Sequence, residues 1–319
     1  LNTGALSSAT TYALVSVTNG TCSQNVSGNA VISINALPTA SISGTTSICS
    51  GTSTNITFTG TANATVTYTI NGGANQVVAL NAAGTATVNT GNLAANATYA
   101  LVSVTNGTCS QNVSGSAVVT VNSLPNATIS GNTTVCSGGN SNIIFNGTPN
   151  ATVTYTLNGT TLTVTLNGAG TATVNTGAVS STATYSLVSI TNGTCSKVLS
   201  GSAVVNINPL PTASVSGSTA ICSGSSTNVF FTGTANATVS YTLNGVAQTV
   251  TLNAAGTATV NTGAIAATAI YTLVSVTNGT CSQNLSGSAV VNVNALPNAT
   301  IAGTTSICSG SSTNITFSG

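Results

Sequence analysis

The stretch Thr65-Val-Thr-Tyr-Thr-Ile-Asn-Gly72 decides how this chain folds. Val66, Tyr68 and Ile70 alternate with threonines, and a period of two places them on one face of an extended strand. Asn71-Gly72 is a strong short-range hairpin signal, because both turn residues must take positive φ. Gln76-Val-Val-Ala-Leu80 is then the returning strand. Upstream, Asn55-Ile-Thr-Phe-Thr59 alternates in the same way, and Ala62-Asn63 makes the turn between. Further back, Thr39-Ala-Ser-Ile-Ser43 reads as a first strand that Ser47-Ile-Cys49 extends, ended by a turn at Ser50-Gly51.

Downstream, Ala83-Gly84 turns into Thr85-Ala-Thr-Val-Asn89, and a loop around Leu93 leads to a strand over 98–104. Asn106-Gly107 is a second hairpin signal, and Ala117-Val-Val-Thr-Val121 closes the set. Seven strands with short turns predict an all-β fold, a seven-stranded immunoglobulin-like or fibronectin-III-like β-sandwich. Helices are not expected: β-branched Thr and Val abound, while Glu, Arg and Met are absent.

The same wording recurs. Leu-Pro stands at Leu37-Pro38, Leu124-Pro125, Leu210-Pro211 and Leu296-Pro297, in steps of 87, 86 and 86 residues. A period of that length is one small domain. Residues 37–123, 124–209 and 210–295 are read as complete copies, 1–36 as the back part of one and 296–319 as the front part of another. Both ends therefore fall inside a repeat, and the expectation is a stretch of a longer polymer. The odd residue lies in a turn, since Asn71 to Asn81 is ten steps while Asn158 to Asn167 and Asn244 to Asn253 are nine. The junction Val121-Asn-Ser-Leu-Pro-Asn-Ala127 leaves almost no linker, which predicts a stiff rod.

Composition bounds the function. The 319 residues include no Asp, Glu or His and a single base, Lys197, where other copies have Gln24, Gln111 and Gln283. A chain without carboxylates or imidazole has no ordinary general acid or base, no carboxylate metal site and no pH switch. The reading is therefore not an enzyme, with no catalytic residue, metal site or cofactor. Isopeptide staples and calcium-stiffened junctions both need carboxyl groups. Nucleic acid needs a basic face and is not an expected partner. The mean hydropathy of +0.42 comes from Ala, Val, Leu and Ile unopposed by charge, and no apolar run approaches the roughly 20 residues that span a bilayer. Near-zero net charge favours association, so the expected partners are further copies of the repeat in one long chain and lateral neighbours of the same kind.

The tyrosines Tyr12, Tyr99, Tyr185 and Tyr271, with Tyr68, Tyr155 and Tyr241, read either as a sugar-stacking face or as sandwich core with a hydroxyl at the rim. The core reading is preferred.

Eight cysteines without a CxxC pair argue for disulfides and an oxidising, extracellular location. Cys49 lies between the first two strands and Cys109 just past the last hairpin, at opposite ends of a sandwich. A disulfide needs Cα atoms within about 7 Å. The favoured scheme therefore joins neighbouring domains, Cys49 with Cys195 and Cys136 with Cys281. Cys22 and Cys109 then pair backwards, and Cys222 and Cys308 forwards, outside this stretch. The in-domain alternative joins Cys49 with Cys109, Cys136 with Cys195 and Cys222 with Cys281.

Ile48-Cys-Ser-Gly51 ahead of a Thr-rich strand, then Thr105-Asn-Gly-Thr-Cys109 and a closing Val118-Val-Thr-Val121, resembles the Ig-like repeats of Bacteroidetes cell-surface proteins. The neutral Thr/Asn/Ala-rich wording in tandem is similar to the giant SprB-type gliding adhesins of flavobacteria. The resemblance covers the whole chain. It implies type IX secretion and a cell-surface filament for gliding motility and cell adhesion, gripping a surface or polysaccharide substrate. The resulting expectation is a structural stalk of disulfide-stapled domains. The alternative is a repeat that binds carbohydrate or ice along its surface, since Thr65-Val-Thr67 and Thr85-Ala-Thr87 imitate Thr-x-Thr rows.

Overall fold

The computed structural model describes residues 1–319. The chain forms β-strands and no helix, hence no helix long and apolar enough to cross a membrane. β1 (Thr10–Ala13), β2 (Ser16–Asn19), β3 (Cys22–Asn25) and β4 (Asn29–Ile32) come first. A full sandwich follows: β5 (Ala40–Ser43), β6 (Thr46–Cys49), β7 (Asn55–Gly60), β8 (Thr65–Ile70), β9 (Asn75–Ala79), β10 (Thr85–Asn89), β11 (Ala97–Asn106), β12 (Cys109–Asn112) and β13 (Ser116–Asn122). The second has β14 (Ala127–Ser130), β15 (Thr133–Cys136), β16 (Asn142–Gly147), β17 (Thr152–Leu157), β18 (Thr160–Thr165), β19 (Thr171–Asn175), β20 (Ala183–Asn192), β21 (Cys195–Val198) and β22 (Ser202–Asn208). The third has β23 (Ala213–Ser216), β24 (Thr219–Cys222), β25 (Asn228–Gly233), β26 (Thr238–Leu243), β27 (Val246–Thr251), β28 (Thr257–Asn261), β29 (Ala269–Asn278), β30 (Cys281–Asn284) and β31 (Ser288–Asn294). β32 (Thr300–Ala302) and β33 (Thr316–Ser318) end the chain.

Each sandwich packs a three-stranded sheet, β5-β7-β10 in the first, on a larger one ordered β6-β13-β11-β8-β9, with β12 also paired to β11. The first strand of the sequence reading is thus two strands in two sheets. β5 pairs antiparallel with β7, whereas β6 runs parallel to β13, Cys49 opposite Asn122. The chain changes sheet at Gly44, whose φ of 122° is open to glycine. A Cβ there would also lie 2.8 Å from the Asn55 carbonyl oxygen.

The alternation read from sequence becomes the core. Ile56 and Phe58 from one sheet meet Val66, Tyr68, Tyr99, Leu101, Val104 and Val119 from the other. The second and third sandwiches have equivalent clusters. Phe58 lies 4.9 Å from Tyr68 between ring centroids, and Tyr68 lies 6.3 Å from Tyr99. The tyrosines of the three sandwiches are therefore core, with no sugar-stacking face. Their hydroxyls make no hydrogen bond within the protein, yet none is buried without a partner, so they sit at the wet rim.

Two turns refine the hairpin reading. Asn158 and Gly159 take φ of 48° and 89° between the paired ends Leu157 and Thr160, a two-residue loop with both residues left-handed. The first sandwich has its extra residue in this loop, which runs from Thr69 to Asn75. The later hairpin turns on Gly107-Thr108, with Asn106 paired to Cys109 as the last strand position. The Asn-Gly signal there was right about the hairpin and one residue off in position.

Candidate functional site: the junction between sandwiches

The last strand of one sandwich and the first of the next are each pinned to their own body. The Ser50 amide donates to the Asn122 carbonyl at 2.8 Å, holding the chain as it leaves the first sandwich. Four residues later the Thr148 amide donates to the Asn126 carbonyl at 2.9 Å, and the Asn126 amide to Thr148 Oγ1 at 3.0 Å. Ser123, Leu124 and Pro125 are left between, with the proline buried. At the next junction the Ser137 amide holds the Asn208 carbonyl, and Thr212 and Thr234 bond reciprocally. Pro209, Leu210 and Pro211 form that connection, where two rings fix φ.

Across these short connections run the disulfides. Cys49 is bonded to Cys195 and Cys136 to Cys281, with Cα–Cα distances of 5.5 and 5.6 Å. The fold explains the geometry. Cys49 closes β6 beside Asn122, at the pole where the chain exits. Cys195 opens β21 opposite Asn192, at the tip of a hairpin that reaches back past the second sandwich's entry pole. The bonded hairpin cysteines, Cys195 and Cys281, are buried. Cys109 is half-buried, Cys22, Cys222 and Cys308 are exposed, and these four carry no bond in the structure.

The in-domain pairs Cys49–Cys109, Cys136–Cys195 and Cys222–Cys281 are not made. Cys49 sits level with the β13 end of its sheet and Cys109 level with the far end of β11, about 35 Å along the strands. No side-chain rotation spans that gap.

Each junction carries an open cleft beside its cystine. One of about 700 Å³ is lined by Asn122, Ser123, Asn192, Gly193 and Thr194, and the other, of about 600 Å³, by Asn208, Leu210, Asn278 and Thr280. Amide and hydroxyl groups line them together with a few apolar side chains, and no lining side chain ionises, since the cysteines are disulfide-bonded. Lys197 lies nearby on β21 and donates from Nζ to Asn126 Oδ1 at 3.3 Å.

A second feature was legible only in part. The sequence reading finds Thr65-Val-Thr67 and Thr85-Ala-Thr87, each recurring once per sandwich, while the sheet sets hydroxyl-bearing strands side by side. On the outer face of the second sandwich the register aligns Thr165, Thr152 and Thr191, then Thr163, Thr154 and Ser189, then Thr161, Thr156 and Ser186. That is a three-by-three field of hydroxyls. The alternation in Thr160-Thr-Leu-Thr-Val-Thr165 was its available signal.

No protein-family model matches the sequence, and no curated protein matches it. Solved structures do. An I-band fragment of titin is 14% identical, with a TM-score of 0.53 over 83% of this chain and 100% of that one. The ICAM-5 D1–D4 ectodomain fragment is 12% identical, with a TM-score of 0.37 over 83% of this chain and 79% of that one. A structure described as host cell surface retention of a 1.5-MDa bacterial ice-binding adhesin is 17% identical, with a TM-score of 0.40 over 82% of this chain and 100% of that one. The titin likeness shows the fold: these are tandem Ig-like β-sandwiches.

Proposed function

We propose that this chain is a stretch of the stalk of a cell-surface adhesive filament. The observation that carries the reading is the junction, where a three-residue connection runs beside a disulfide to the neighbouring sandwich. A module built to bind or catalyse has no need of such a tether, whereas a structural rod does. Each repeat is one mechanical unit, with boundaries at 37, 124, 210 and 296. Disulfides support a location outside the reducing cytosol. The sequence resemblance supplies the finer reading: export by type IX secretion in a member of the Bacteroidetes, and service in gliding motility and surface attachment. Antibodies raised against the chain should decorate filaments on unpermeabilised cells, and loss of the repeats should reduce attachment under flow. Labelling that appears only after permeabilisation would end this reading.

The hydroxyl field on the second sandwich supports a second reading, a neutral ligand such as a carbohydrate or ice. Thr154→Glu would place a charge at its centre without touching the core. Under this reading the variant loses binding on a glycan array or loses inhibition of ice recrystallisation. Equal behaviour of both proteins counts against it.

A further inference from the structure

We infer that the cystines form a second, interleaved load path, so that the chain between Cys49 and Cys281 does not part at a single backbone break and a continuing array stretches little when its sandwiches unfold. The inference follows from how the bonds overlap. One bridge closes residues 49 to 195 and the other 136 to 281, spanning 146 and 145 positions. The two loops share residues 136–195. A cut anywhere between Cys49 and Cys281 therefore leaves pieces joined through at least one S–S bond. Bridges confined to single sandwiches would sit side by side, and a cut at a junction would separate the chain.

The same overlap limits extension. From each hairpin cysteine to the next β6-type cysteine is 27 residues: Cys22 to Cys49, Cys109 to Cys136, Cys195 to Cys222 and Cys281 to Cys308. In a continuing array, which rests on the filament reading above, a taut covalent track walks one such segment and then crosses a bridge. Two tracks run in parallel, each drawing on alternate repeats. A fully unfolded pair of repeats could then lengthen to about 100 Å, bridge included, against about 590 Å for the free backbone. A sandwich whose longest strand has ten residues is itself at least about 33 Å long, so the unfolded limit lies near the folded length.

The chain provides its own test. Lys197 is the single lysine or arginine in 319 residues, so trypsin has one site. The oxidised full chain, its free thiols alkylated, is unfolded and digested. Without reductant it should remain one species of 30.7 kDa, and reductant should release 1–197 and 198–319. Lys197→Gln should stay whole in both conditions. Two fragments that separate without reductant overturn the inference.

Held by its ends, the nicked, oxidised chain should still bear load. Its taut path runs from Leu1 to Cys49, back from Cys195 to Cys136, and on from Cys281 to Gly319. That path measures about 500 Å, against about 1,100 Å for the uncut, reduced chain. A nicked chain that parts as its sandwiches unfold overturns the load path. Both readouts lie within residues 1–319, so their failure is distinct from failure of the cell-surface reading.

Discussion

Phe145 shows what one residue holds. It is fully buried, reaches from the three-stranded sheet to Tyr155 at 5.0 Å, and through it stands against Tyr185. Phe145→Ala should cost about 3–5 kcal/mol of the second sandwich's stability, measured by urea denaturation followed through tyrosine fluorescence. The tyrosines set the pH response. Burial raises Tyr68, Tyr155 and Tyr271 above the ordinary tyrosine value of 10.0. Tyr99, Tyr185 and Tyr241 are raised first by burial and then by the charge of a neighbouring tyrosine. A folded-state value above the unfolded one means that the native state holds protons more tightly. That stability is fully present below pH 10 and is lost as pH rises through the folded values. Without carboxylate side chains or imidazole, melting temperature should stay level from acid to neutral pH and fall in alkali. A drop in acid would contradict this account.

At the scale of elements, the strand that carries the disulfide hairpin is irregular. Ala183, Tyr185 and Leu187 point inward at spacings of two, yet the next inward residue is Ile190, three further on. A bulge at Val188, where the register with β17 slips, absorbs the extra residue and leaves that valine 40% exposed. One alanine inserted after Val188 should turn Ile190 and the β20–β21 hairpin to the opposite face. Cys195 would then miss Cys49, and alkylation with mass spectrometry should find both as free thiols. Much of this was legible beforehand. Alternation in Thr65–Ile70 and the Asn-Gly turns are local signals, and the structure uses them. The sheet switch at Gly44 and the bulge were not read, because each depends on which strand lies alongside. The hydroxyl field was legible only as isolated Thr-x-Thr pairs, for the same reason. The sandwich poles were the exception, since strand count alone places the two ends of a strand apart.

For the whole molecule, adhesion between sandwiches is covalent and local while stability within each is apolar. No cysteine belongs to any of the three core clusters. Reductant should therefore leave the far-ultraviolet circular dichroism unchanged and broaden the distance distribution seen by small-angle scattering. A loss of sheet signal would mean that the bridges hold the sandwiches themselves together. With one lysine and no carboxylate side chain, the body has no ion pair for salt to screen. Melting temperature should hold steady as sodium chloride is raised from low to physiological concentration. The pattern of the bonds also bears on how such a chain can change over generations. Every bridge runs from one repeat to the following one, at equivalent positions. Excise residues 124–209 and Cys49 faces Cys281 where Cys195 had been, with no orphaned thiol created. Duplicating a repeat is equally harmless. Length can thus be edited by unequal recombination between near-identical copies, one whole unit at a time, and every product inherits a matched ladder.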